Sequence, residues 1–217
     1  RSVAKVKEDL GKANFVEIKE EEKWNLKKGG KYFVTKNDSA LIAFVVGKGE
    51  IEENGFKIIG AHTDSPTFRI KPTPEMVVDN TYVRLNTEVY GGPILNTWMD
   101  RPLAIAGRVT LRGKDILNPE TKLLNIKKPI MIIPNLAIHM NREINTGIEL
   151  NKQKDTLPLL SMVSTELEKN NYLMSAIAKE LSVDIKQIID FDLFLYEYEK
   201  GSIIGLNNER SEERRVG

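Results

Sequence analysis

The pattern of apolar and polar positions predicts a helix followed by buried strands in the first part of the chain. Apolar residues recur at helical spacing among charges over residues 2–12, with Ser2 in the N-cap position. Residues 32–36 and 40–47 are apolar runs separated by an Asn-Asp-Ser turn, which predicts two paired strands. We expect residues 40–47 to be buried on both faces of a sheet, and residues 56–61 to form another buried strand. This order indicates an α/β layer structure.

The pattern changes in the middle of the chain. Residues 68–134 are a series of short β-branched segments interrupted by Pro, Gly and Asn, with turns predicted at 112–114 and 118–119. Such a series is typical of a β-rich, mostly antiparallel unit. Residues 145–157 are polar and predict an exposed loop.

A second helix and a final strand are predicted after that loop. Leu173, Ile177 and Leu181 fall at helical spacing, which predicts an amphipathic helix. Residues 191–198 are rich in aromatic side chains and predict a strand. The fold class predicted for the whole chain is therefore α/β, with a β-rich portion in its second part.

Composition excludes several function classes. The 217 residues carry 32 basic and 31 acidic side chains, a net charge of +1, which argues against a nucleic-acid partner. The sequence contains no cysteine, so disulfides and thiol nucleophiles are excluded and a cytoplasmic location is expected. No apolar stretch approaches the roughly 20 residues that span a bilayer, and no secretory signal opens the chain, so no membrane partner is expected.

The residues that could carry chemistry each allow two interpretations. His62 follows an apolar run, with Asp64 two positions on, which suits either a metal ligand held by a carboxylate or an ordinary turn. His139, the other histidine, is either a surface or interface residue or a substrate-pocket residue. Asp100 and Arg101 suit either a pocket pair or a structural salt bridge.

Four ordered motifs point to a known family. In chain order they lie at 24–36, at Gly60-Ala61-His62-Thr63-Asp64-Ser65-Pro66, at 88–103 with a Trp-x-Asp-Arg signature, and at 135–145. Together they resemble the aspartyl aminopeptidase or aminopeptidase I family of zinc metallopeptidases. The resemblance spans roughly residues 15–209.

The resemblance implies a function and three site residues. The implied enzyme hydrolyses N-terminal amino acids from peptide substrates at a site with two zinc ions. His62 corresponds to a metal ligand, and Asp64 to the catalytic acidic residue that orients and polarises that histidine. His139 corresponds to a substrate-binding histidine that reaches the pocket of a neighbouring subunit in a homo-oligomer. A single histidine does not select zinc over cobalt or manganese.

The resemblance also implies a domain organisation. Residues 1–74 correspond to the first part of a catalytic α/β domain and 75–203 to an inserted β-rich domain for dimerisation and oligomerisation. Residues 204–209 correspond to a return to a truncated catalytic domain. The match stops at Glu209, so we expect 210–217 to be a foreign tail from a truncated or misassembled reading frame or a cloning scar.

This chain departs from the family in length and in its ligand set. Family members are about twice as long, and the remaining metal ligands and the glutamate base lie in the half that follows. One histidine and one orienting aspartate do not hold two zinc ions in a catalytic geometry. The alternative interpretation of these 217 residues is therefore a catalytically silent oligomerisation or interaction module.

Overall fold

The computed structural model describes residues 2–163, 171–208 and 210–212, and the chain divides into two compact units after Ser65. The elements of the first unit are α1 (Ser2–Lys12), β1 (Val16–Glu17), β2 (Lys31–Lys36), β3 (Ala40–Val45) and α2 (Ile51–Asn54). The strands form a sheet in the order β1-β2-β3, parallel between β1 and β2 and antiparallel between β2 and β3. The predicted helix and the predicted strand pair are confirmed.

Local sequence explains the β2–β3 turn. Asn37 and Asp38 both have left-handed backbone, with φ of 51° and 54°, which these residue types tolerate better than most. The core of this unit is small, with Val3 of α1 and Phe33 of β2 as its buried apolar side chains.

Two expectations for this unit are wrong. Strand β3 is not buried on both faces, since the side chain of Ile42 is 67% exposed. Residues 56–61 form no strand, and Ile59 is 99% exposed. Both expectations fail for the same physical reason, because a strand lies inside a buried sheet only when other strands pair with it. In the part of the first unit that the structure describes, β3 is an edge strand and no strand pairs with 56–61.

The second unit is built around an antiparallel sheet of six strands in the order β7-β6-β9-β4-β5-β8. Its elements are β4 (Thr67–Val78), β5 (Tyr82–Tyr90), β6 (Leu103–Asp115), β7 (Asn118–Asn125), β8 (Leu159–Met162), α3 (Tyr172–Leu181) and β9 (Ile188–Glu197). Short 3-10 helices lie at Leu95–Trp98, Ile144–Thr146 and Ile185–Gln187. The antiparallel β-rich unit is confirmed, as are the helix and the final strand.

The core of the second unit lies between the sheet and helix α3. Leu173 and Ile177 present the apolar stripe of α3 to this core, as their spacing predicts. Phe68 of β4 contacts Trp98 edge-to-face, with ring centroids 5.1 Å apart, and both side chains are buried. The segment that carries Trp98 is therefore anchored in the core.

The β6–β7 turn is shifted from its predicted place. The two turn residues are Ile116 and Leu117, and β7 begins at Asn118, inside the predicted turn at 118–119. The Asp115 carboxylate explains the shift, because it accepts hydrogen bonds from the backbone N–H groups of Leu117 and Asn118 at 2.9 and 3.0 Å. The hydrogen bond from the Asn118 side chain, followed by these backbone bonds, lowers the pKa of Asp115.

Most of 145–157 is exposed, as expected, although Thr156 and Leu157 are buried. The second unit begins at Pro66, and the predicted boundary after residue 74 stays a prediction. Strand β10 (Ser202–Ile204) pairs with β11 (Arg210–Glu212), which belongs to the predicted foreign tail, and 213–217 lie outside the described residues. None of the described helices is long and apolar enough to cross a membrane.

Candidate functional site

His62 and Asp64 lie together in an irregular segment that follows the exposed run 56–61. The Nδ1 atom of His62 is 2.9 Å from the backbone carbonyl oxygen of Asp64 and 3.1 Å from its carboxylate Oδ1. Both neighbours accept hydrogen bonds, so Nδ1 carries the proton that is donated to them. In the neutral ring this leaves the lone pair on Nε2, which is the nitrogen free to bind a metal ion.

The segment is tied to the first unit by the residue between the pair. The hydroxyl Oγ1 of Thr63 donates a hydrogen bond of 2.7 Å to the backbone carbonyl of Ser39, in the turn between β2 and β3. This bond fixes the backbone between His62 and Asp64, whose side chains contact each other.

The pair fits one part of a zinc site. The His62 side chain is 81% exposed and therefore accessible, and an imidazole nitrogen oriented by a carboxylate is an ordinary zinc ligand. A complete zinc site needs three or four protein donors. No group of three His, Cys, Asp or Glu side chains is placed to share a metal ion in the part of the chain that the structure describes. The residues present therefore supply one ligand and the group that orients it.

His139 belongs to the second unit, so the structure does not bring it together with His62 and Asp64 in one compact unit. It lies in an exposed turn in which the N–H groups of Met140 and Asn141 both donate to the carbonyl of Ala137, at 2.8 and 3.1 Å. Its ring makes no hydrogen bond to another described residue, so both ring nitrogens are available to a ligand.

Asp100 and Arg101 are not paired with each other. Arg101 Nη1 donates to Glu197 Oε2 over 2.7 Å, and only 4% of the Glu197 side chain is exposed. The salt bridge expected between Asp100 and Arg101 is therefore wrong, because Arg101 pairs with a carboxylate of β9 instead. Asp100 has a separate contact, because its Oδ1 accepts the backbone N–H of Asn135 at 2.9 Å.

Sequence reasoning missed Glu197 and Asn135 as partners. A signal for Glu197 exists, since it is a charged residue at an inward position of the aromatic strand β9, and buried charges need partners. The contact to Asn135 has no such signal, because its donor is a backbone group.

Comparison with known proteins agrees with the motifs. The family model described as "Aminopeptidase I zinc metalloprotease (M18)" matches residues 1–212. The chain is 72% identical, over 208 residues, to the "Probable M18 family aminopeptidase 2" of Clostridium novyi (strain NT). That match covers 96% of this chain and 48% of the relative, so the chain spans about half the length of the curated relatives it matches.

Solved structures show the same fold. A chain from the cryo-EM structure of the Ape4 and Nbr1 complex has a TM-score of 0.82 and 33% identity, over 95% of this chain and 42% of that chain. The S. cerevisiae mApe1 dodecamer has a TM-score of 0.71 and 27% identity, over 95% of this chain and 46% of that chain. The mixed α/β fold class is thereby confirmed.

Proposed function

Because the chain belongs to the M18 family of aminopeptidase I zinc metalloproteases, we propose that it is part of an aminopeptidase that hydrolyses the N-terminal residue from peptides at a two-zinc site. The observation that carries this proposal is the His62–Asp64 pair, in which the carboxylate and carbonyl of Asp64 hold Nδ1 and leave Nε2 available. We place the enzyme in the cytoplasm, because its reducing conditions prevent disulfides and this chain has no cysteine to form them.

The two residues have separate roles in this proposal. Nε2 of His62 holds one metal ion, while Asp64 fixes the tautomer and direction of the ring and raises its basicity. A zinc ion held there would polarise the scissile carbonyl as a Lewis acid and would lower the pKa of water toward neutral pH. Cobalt or manganese could take the place of zinc, since imidazole binds all three.

The test is an assay of the full-length enzyme, meaning the protein of about twice this length that contains the chain. We expect cleavage of peptides with a free N-terminus, loss of that cleavage in chelator, and its recovery on adding zinc. The same peptides with an acetylated N-terminus are the control and should not be cleaved. Cleavage of both peptide sets, or activity that survives complete metal removal, would contradict the proposal.

His139 is proposed to bind substrate across a subunit boundary. The S. cerevisiae relative is a dodecamer, which supports self-association of this protein, and residues 75–203, within the second unit, are the β-rich part proposed to form the oligomer. An exposed imidazole with no bonded partner among the described residues can donate a hydrogen bond to a substrate carbonyl or to the oxyanion that develops during hydrolysis.

Replacing His139 by phenylalanine should lower kcat of the full-length enzyme by about 10²–10³-fold, the typical cost of losing one oxyanion donor. Metal content should stay unchanged, because His139 is not proposed as a ligand. The measurements are kcat, zinc content by elemental analysis, and oligomer size by light scattering. Near-normal kcat in an intact oligomer would reject the substrate-binding role.

The position of His139 in a neighbouring subunit has its own test. Inactive His62→Ala and His139→Phe variants are mixed, dissociated and reassembled. If His139 acts on the neighbouring subunit, some mixed sites contain intact copies of both histidines and activity partly returns. If it acts within its own subunit, every site lacks one histidine and no activity returns.

A second candidate function is favoured by the incomplete ligand set. With one proposed zinc ligand and a well-formed six-stranded second unit, these residues alone could act as an oligomerisation module without activity. In that case the chain would join oligomers of the full-length enzyme without adding active sites.

A further inference from the structure

The segment between β5 and β6 is held firmly by residues on both sides of Asp100. Trp98 is buried in the core against Phe68, and Arg101 is paired with the buried carboxylate of Glu197 on the central strand β9. The Arg101 side chain also donates through Nε to the carbonyl of Thr97, which closes the segment on itself. Asp100 therefore projects from a rigid base although its own side chain is exposed.

Asp100 uses this base to hold a second part of the chain at two points. Its backbone N–H donates to the carbonyl of Ile133 over 2.9 Å, and its Oδ1 accepts the N–H of Asn135, also over 2.9 Å. The two bonds lie on either side of Pro134, which has no N–H to donate. Asp100 adopts left-handed backbone with φ of 58°, a conformation that few residue types other than Gly and Asn share.

The held segment leads directly to His139. Ile133 is the last buried residue before His139, and residues 134–140 are exposed. The turn that begins at Ala137 contains His139. Among the described residues, the N–H of Asn135 is the last backbone group before this turn that bonds to another part of the chain. The turn is closed by its own backbone hydrogen bonds, and the Asn135 bond is the last contact before it that can set its direction.

We propose that Asp100 is a positioning residue that places His139 by accepting the N–H of Asn135. The proposal rests on the proposed contact between His139 and substrate, and it gives the Trp-x-Asp-Arg signature two roles. Arg101 holds the segment against β9, and the Asp100 carboxylate holds the backbone that leads into the turn. Since small displacements of a contacting group weaken its interaction with the transition state, loss of the Asp100 oxygen lowers kcat without removing any group that touches substrate.

The test compares substitutions of Asp100 in the full-length enzyme. Asp100→Gly accepts φ of 58° but removes the acceptor, whereas Asp100→Asn keeps both the backbone preference and an Oδ1 acceptor. We expect kcat to fall about 10–100-fold in Asp100→Gly and less than about 3-fold in Asp100→Asn, with KM little changed. Asp79→Gly, which removes a carboxylate from another left-handed position (φ 49°) in the β4–β5 turn, is the matched control and should behave as wild type.

A double-mutant cycle separates positioning from a general structural effect. If Asp100 acts through His139, adding Asp100→Gly to His139→Phe causes no further loss of kcat. Hydrogen exchange provides a readout without turnover: amides of 135–141 should exchange faster in Asp100→Gly and unchanged in Asp100→Asn. If Asp100→Gly loses its oligomer, Asp100→Glu takes its place in the comparison. This substitution keeps the charge but displaces the oxygen, so its kcat should also be lower than that of Asp100→Asn.

The outcomes distinguish this proposal from the proposed function. Normal kcat in His139→Phe overturns the substrate-binding role of His139 and this proposal with it, while the proposed metallopeptidase activity is decided separately by the chelator assay. A large loss in His139→Phe with wild-type kcat in Asp100→Gly and Asp100→Glu overturns the positioning role alone. Equal losses in Asp100→Gly and Asp100→Asn, or additive losses in the cycle, also overturn it.

Discussion

Replacing His62 by alanine in the full-length enzyme is expected to remove at least one zinc ion per subunit and to lower turnover by about 10³-fold or more. A metal ion contributes several kcal/mol of transition-state stabilisation, and each 1.4 kcal/mol is about tenfold in rate. His62 is the one imidazole of the first unit, and its Nε2 is the nitrogen left free by the hydrogen bonds to Asp64. The measurements are elemental analysis and kcat at saturating substrate.

Two variants control this experiment. Asp64→Ala keeps the imidazole and removes the carboxylate that orients it, so we expect metal affinity to fall about 10–100-fold, an effect that added zinc overcomes in part. Asp38→Asn removes a negative charge from the neighbouring β2–β3 turn but keeps a residue type that tolerates its φ of 54°, and it should leave metal content and turnover unchanged. A His62→Ala enzyme that retains the wild-type zinc stoichiometry would contradict the assignment of His62 as a ligand.

Local patterns predicted the elements whose partners lie close in sequence. Helix α1 follows from the spacing of its apolar residues, and α3 from Leu173 and Ile177, because one face of a helix meets the core whatever the core consists of. The β2–β3 pair was predicted because Asn37 and Asp38 suit the tight turn between the strands. The His62–Asp64 contact belongs to the same class, since the two residues are two positions apart.

Contacts between distant residues were not predictable in this way. Asp100 and Asn135 are 35 positions apart, and Arg101 and Glu197 are 96 apart. No local period joins such residues, and backbone donors such as the Asn135 N–H leave no mark in the sequence. The wrong expectation for 56–61 has a related cause, because an apolar run indicates that a segment is suited to burial without indicating which segment will bury it.

The exposed apolar residues of the first unit bear on the second large effect that we expect. Ile42 of β3, together with Phe56, Ile58 and Ile59, exposes apolar surface to solvent, and β3 is an edge strand among the described residues. Exposed large apolar side chains and unpaired strand edges promote aggregation unless further polypeptide packs against them. The matched relatives are about twice as long as this chain, so further polypeptide is available in proteins of this kind.

The 217-residue chain purified alone, with zinc added, is therefore expected to show no measurable aminopeptidase activity and to aggregate as its concentration rises. One imidazole with its orienting carboxylate supplies too few donors for a catalytic zinc site, so water is not activated. Turnover of aminoacyl-anilide substrates is measured beside the full-length enzyme at equal molar concentration, and light scattering follows aggregation. Turnover that scales with this chain and disappears in chelator would contradict the prediction.

Complementation shows whether missing ligands cause the inactivity. When the remainder of the full-length enzyme is expressed as a separate chain and refolded with these 217 residues, zinc-dependent activity should return and aggregation should decrease. The same mixture made with His62→Ala should aggregate no more than the wild-type mixture but remain inactive, because Ile42, Phe56, Ile58 and Ile59 are unchanged and only the ligand is lost. Equal activity in the two mixtures would mean that the remainder carries the zinc site without His62, and these residues would then be the oligomerisation module of the alternative interpretation.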